Sequence, residues 1–135
     1  MAVAATQQII ADGPRNLVLK YTFTGTTGDM AAVILVNVSG FVDDEGTALG
    51  ANSLTLMGVQ ASLIGFSAAL LWEAATDIPL ISIPDGTPIN QDFSKFGGIK
   101  DNSTTTSTGD VVITTTGWTA AAGEGGHLYL WFRKP

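Results

Sequence analysis

Apolar residues along this chain recur mainly at every second position, the period of a strand with one buried face. Between Asn16 and Thr24, Leu17, Leu19, Tyr21 and Phe23 alternate with Val18, Lys20, Thr22 and Thr24, which predicts a half-buried strand. His127 to Arg133 repeats the pattern, with Leu128, Leu130 and Phe132 facing one way and Tyr129, Trp131 and Arg133 the other. Asp110 to Thr116 places Val111, Ile113 and Thr115 on one face. Ala31 to Val38 is β-branched and apolar on both faces except for Asn37, the pattern of a strand central to a sheet. Ser53 to Ile64 reads as another strand region, with Gly58 the natural place for a bulge. The organising stretch is Gly65 to Ile83, a hairpin made of Phe66–Glu73, a turn at Ala74–Asp77 and the alternating Ile78–Ile83. The strands before it are expected to pair with it.

Turn signals separate these segments. Asp12-Gly13-Pro14 ends a short strand at Gln7–Ala11, Gly25–Asp29 turns the chain, and Gly123–Gly126 precedes the closing strand. Phe41–Leu49 holds the acidic run Asp43-Asp44-Glu45-Gly46 and reads as a solvated loop. A long irregular segment runs from Asp85-Gly86 to about Thr108, pinned by Phe93 and Phe96. Residues 1–6 have no periodicity and predict a flexible N-terminal arm before a single domain, 7–135. Ser67 to Ala75 contains helix formers, but Ile78–Ile83 follows too closely for a crossover unit. The expected fold is all-β: a single-domain β-sandwich or jelly-roll-like barrel of about seven or eight antiparallel strands.

Composition narrows the function classes. Only 13% of the residues are charged, about half the usual share, while 45% are hydrophobic and mean hydropathy is positive. Such a surface suits a protein packed against neighbours. A net charge of −6 with six basic residues argues against nucleic acid, because phosphate binding needs clustered cations. Cysteine is absent, which removes disulfides, thiol chemistry and zinc knuckles. Leu49 to Trp72 carries no charge, but Asn52, Ser53, Thr55, Gln60, Ser62 and Ser67 interrupt it, so buried strands account for it better than a membrane span. Met1–Ile10 lacks the basic start and apolar run of a secretory signal.

Candidate chemistry is sparse. His127 is the only histidine, and no spacing supplies it with a base or nucleophile partner. Asp43-Asp44-Glu45 lacks the alternating ligand spacing of a calcium loop. Glu73 and Asp77 have the spacing of hairpin-turn residues rather than paired catalytic carboxylates. Gly97-Gly98 and Gly125-Gly126 read as turns, without the lysine of a phosphate loop. Trp72, Trp118 and Trp131, with Tyr129, would form a carbohydrate platform only if exposed in a row, and aromatics in a domain this size are more often core. The Ser/Thr tract at 103–108 is either a flexible loop or a contact loop that orders on assembly. No enzyme, metal site or cofactor is expected.

Several segments resemble a family of small structural proteins of tailed bacteriophages. They are Asp12-Gly13-Pro14-Arg15-Asn16, Leu70-Leu71-Trp72-Glu73-Ala74-Ala75-Thr76-Asp77, Asp92-Phe93 with Phe96-Gly97-Gly98, Gly109 to Thr115, and Tyr129 to Lys134. Within that family the resemblance points most to head decoration, or cement, proteins. It implies a protein made in the host cytoplasm that binds the outer surface of the virion capsid, often as a trimer, contacts the major capsid protein and clamps neighbouring capsomers. The contact residues then expected are Ala2, Val3, Ala4, Ala5, Thr6, Gln7 and Gln8 on the arm, with Phe93, Phe96 and Ile99 on the long loop. A tail, neck or fibre component and a carbohydrate-binding module are the alternative readings.

Overall fold

The computed structural model describes residues 3–25, 28–50, 53–100 and 107–135. Ten strands lie among them: β1 Val3–Asp12, β2 Asn16–Gly25, β3 Val33–Val36, β4 Thr55–Ile64, β5 Ser67–Ala74, β6 Ile78–Ile83, β7 Ile89–Asp92, β8 Ile99–Lys100, β9 Ser107–Thr116 and β10 Gly125–Arg133. They form two antiparallel sheets, one ordered β1-β2-β10-β4-β7 with β8 also on β4, the other β3-β9-β5-β6. The all-β sandwich expected from the alternation is present, with more strands than the seven or eight expected.

The pairing has a simple logic. β2 pairs with β10, β3 with β9, β4 with β7, and β5 with β6, so the chain is one long hairpin whose tip is β5–β6. Rolling that hairpin brings β10 against β4 and β9 against β5, closing two four-stranded faces. This is jelly-roll connectivity, and β1 extends it beside β2.

Side chains of both sheets fill the space between them. Leu17, Leu19, Tyr21 and Phe23 of β2 and Leu128, Leu130 and Phe132 of β10 face Leu70 and Trp72 of β5 and Val111 and Ile113 of β9. Phe66 closes one end, edge-on to Phe23 at 5.4 Å and to Trp118 at 5.0 Å between centroids. In β4 the buried positions change from Leu56 to Val59, Ala61 and Leu63, a change of parity. The register against β10 slips there, leaving Met57 as the extra residue of a bulge beside Gly58. The fold is fastened at its ends. Lys134, buried, pairs with Asp12, and its N–H donates to the Arg15 carbonyl.

Four expectations are corrected by this arrangement. Val3–Thr6 do not form a free arm. They are the first part of β1, paired with Thr22–Gly25, and the Val3 N–H donates to the Gly28 carbonyl at 2.8 Å. The apolar strand expected at Ala31–Val38 is the shorter β3, and it lies at a sheet edge instead of the centre. The β5–β6 hairpin pairs onward with β9, not with the strands before it. The segment 85–108, expected to be irregular, contributes β7 and β8, and its residues 101–106 lie outside the described residues.

Candidate docking edge

A sandwich made of two open sheets has four lateral edges, each offering unpaired N–H and C=O groups unless something covers or blunts it. Two edges here are blunted. β6 carries Pro79, which cannot donate to a ladder, and β7 is four residues long with exposed Asn90, Gln91 and Asp92. β1 and β3 differ from these in their side chains, although β3 is as short as β7. The 10-residue β1 has no charged residue before Asp12 and no proline, and the four residues of β3 are all Val, Ile or Leu.

These two edges flank one groove of about 590 Å³. Val3, Ala5, Gln7 and Ile9, alternate residues of β1, form one wall, and Val33, Ile34 and Leu35 form the other. Its apolar lining reaches solvent: Ile9 is 52% exposed, Val33 43% and Ile34 51%, and Ile10 beside it is 50% exposed. Every residue of β1 from Thr6 to Asp12 is exposed, and a bulge at Ile10 shifts the register against β2.

Two hydrogen bonds cross the groove. Gln7 Nε2 donates to Tyr21 Oη at 2.7 Å, and Tyr21 Oη donates to the Leu35 carbonyl at 3.1 Å, tying β1 through β2 to β3. Burial pushes the Tyr21 phenol well above the usual tyrosine range, only partly offset by the Gln7 hydrogen bond. Below the groove Asp29 anchors the approach to β3. Its carboxylate accepts from Thr115 Oγ1 and the Trp118 N–H at 3.0 Å each and from the Gly117 N–H at 3.1 Å. The Trp118 N–H, foremost among these donors, holds the Asp29 carboxyl below its ordinary range against a smaller desolvation effect.

The residues expected to make contacts fall in two places. Val3 to Gln8 lie on β1 beside the groove, with Val3 itself buried, while Ala2 is outside the described residues. Phe93 is buried in the core, Ile99 packs against it from β8, and Phe96 is 67% exposed at the far edge, its ring 5.9 Å from that of Phe93. Ile9, Ile10, Val33 and Ile34 were missed. Their signal is the absence of charge or proline along strands that would need them at an edge.

The remaining candidates resolve individually. Trp72 and Trp118 are core residues, whereas His127, Tyr129 and Trp131 line up partly buried on the outward face of β10. Asp43 Oδ1 accepts from the Glu45 and Thr47 N–H groups at 2.9 Å each, closing the acidic loop on itself. Asp77 Oδ1 accepts from the Ala74 N–H at 3.2 Å within the hairpin turn. Among the described residues no cluster of three or more His, Cys, Asp or Glu is arranged to hold a metal ion, and no helix is long and apolar enough to cross a membrane. No protein-family model and no curated protein matches the chain.

Proposed function

We propose that this chain is a structural protein of a tailed-bacteriophage virion, a non-enzymatic head decoration protein that docks on the major capsid protein. The observation that supports the reading is the pair of edges, β1 up to Ala11 and β3, that carry neither charge nor proline, on either side of a mainly apolar groove. An extended segment of the shell protein pairing with such an edge gains main-chain hydrogen bonds, and the flanking isoleucines supply apolar burial. The absence of charge matters, because no ion has to be desolvated when the edge is covered.

Clamping neighbouring capsomers also calls for a second contact, away from the first. Phe96 supports one, projecting from the turn between β7 and β8 at the opposite end of the sheet order from β1. Assembly with further copies of itself would multiply such contacts and raise avidity on a symmetric shell.

Quantitative mass spectrometry of purified virions tests the reading. Hundreds of copies in fixed ratio to the major capsid protein are expected. A few to a few dozen copies would move the protein to the tail or neck, and absence from virions would overturn the proposal.

A further inference from the structure

A second surface lies on the outward face of the six-stranded sheet, away from the β1–β3 groove. His127, Tyr129 and Trp131 occupy alternate positions of β10, with centroids 5.5 Å apart for the first pair and 6.3 Å for the second. Tyr129 and Trp131 are inclined by only 29°, and Lys20 Nζ lies 5.7 Å from the Tyr129 centroid. The strand register places Tyr129 between Lys20 and Gln60, and Gln60 beside Asn90. One residue pair further, Trp131 lies beside Gly58, and Gly58 beside Asp92. A hollow of about 390 Å³ opens there, bounded by Trp131, Met57, Gly58, Asn90, Asp92 and Ser94.

Gly58 shapes this hollow by what it lacks. A Cβ at that position would stand 3.6 Å from Trp131 Cε3 and 3.2 Å from the Gln91 carbonyl oxygen. With no side chain at Gly58, the Trp131 indole lies close against the strand backbone at the edge of the hollow. Asp92 is held in place through its Oδ1, which accepts from the Ser94 N–H at 2.8 Å, and this bond in particular holds its carboxyl below the ordinary range. The exposed amides of Gln60 and Asn90 complete the polar side.

We infer that this face is a binding site for a neutral, linear glycan, with one sugar ring seated against Trp131. A pyranose presents an apolar C–H face to an aromatic ring and a rim of hydroxyls to planar amides and a carboxylate, the two chemistries that meet here. The straight line of aromatic rings along one strand suits an extended chain over a compact ligand. A nucleic-acid base would stack on the same rings, but its phosphates would meet a protein of net charge −6 with Lys20 and Arg133 as the nearby cations.

The three indole N–H signals in a ¹H–¹⁵N spectrum give a site-resolved test. The intact protein is titrated to millimolar levels with tetrasaccharides of β-1,4-glucose, β-1,4-N-acetylglucosamine, α-1,4-glucose and β-1,4-mannose, and separately with oligothymidylate. The expected result is saturable movement of the Trp131 signal with at least one β-linked sugar, while the buried Trp72 and Trp118 signals stay in place. Trp131→Ala should abolish the response and keep the other two indole signals, which report the intact fold. Asn90→Ala should weaken binding about tenfold, the loss of one or two hydrogen bonds. No movement with any sugar, a response that survives Trp131→Ala, or a larger response to oligothymidylate would overturn the inference.

Discussion

Replacing Ile9 and Ile34 together by lysine separates docking from folding. Both side chains are about half in water, at 52% and 51% exposure, on opposite walls of the groove. Full burial of an isoleucine stabilises by about 1.5–3 kcal/mol, so each has roughly 1 kcal/mol left to release when a partner covers it. Losing both removes about 2 kcal/mol of binding, a loss of about 30-fold. Two ammonium groups on strand edges also oppose pairing, so about 30-fold is the lower expectation. The cost to the isolated fold should stay within about 1 kcal/mol, because lysine is well tolerated at an exposed strand edge and its stem can cover the same apolar surface. The assay is cosedimentation with phage heads assembled without this protein, run beside thermal unfolding of the free protein. Wild-type occupancy of heads by the double variant, at an unchanged melting temperature, would refute the assignment of β1 and β3 as the docking edge.

Other substitutions test the remaining parts of the structure. Phe96→Ser should leave thermal stability nearly unchanged, since the ring is already 67% exposed, and lower head occupancy several-fold by cosedimentation. Tyr21→Phe removes the hydroxyl between Gln7 and the Leu35 carbonyl and should cost about 1–3 kcal/mol in denaturant unfolding, because a buried carbonyl loses its partner. Asp29 has a depressed carboxyl pKa in the fold, so its contribution is present above the unfolded-state value, about pH 4, and is lost as pH falls through the lower folded value. Wild-type melting temperature should therefore drop steeply below about pH 4, and Asp29→Asn should start lower at neutral pH and lose less across that window. Asp92 and Glu124 work in the same direction and steepen the acid limb in both proteins. In Glu124 a desolvation effect that raises the pKa is outweighed by hydrogen bonds from the N–H groups of Ala121 and Thr119 and the Thr119 hydroxyl.

The parts of the fold visible in the sequence are those where one face meets the core and the other meets water. β2 and β10 show it most clearly, and their alternation survives intact because each lies between two partners in the sheet. β1 was not legible over Val3–Thr6, since small side chains carry no period. Backbone pairing with β2 and the Gly28 carbonyl fix that segment. β7, with the sequence Ile-Asn-Gln-Asp, is a strand only because β4 offers it a ladder about thirty residues away. Long-range registers of this kind leave no local trace.

β3 misled for a more informative reason. Residues apolar on both faces signal a strand covered on both sides, and the pattern was read as a central position. In the isolated chain β3 is an edge, and Val33 and Ile34 are the uncovered half of that pattern. The sequence is therefore that of a covered strand in a place where this chain supplies no cover. The same mismatch holds at Ile9 and Ile10 across the groove, while Pro79 on β6 and the polar residues of β7 show that the other edges follow the ordinary rule. Such a difference between edges of one molecule argues for a partner on the β1–β3 side. It also leaves the outward face of β10, with its aromatic row, on a different side of the sandwich, so a protein docked by that edge keeps the row open to solution.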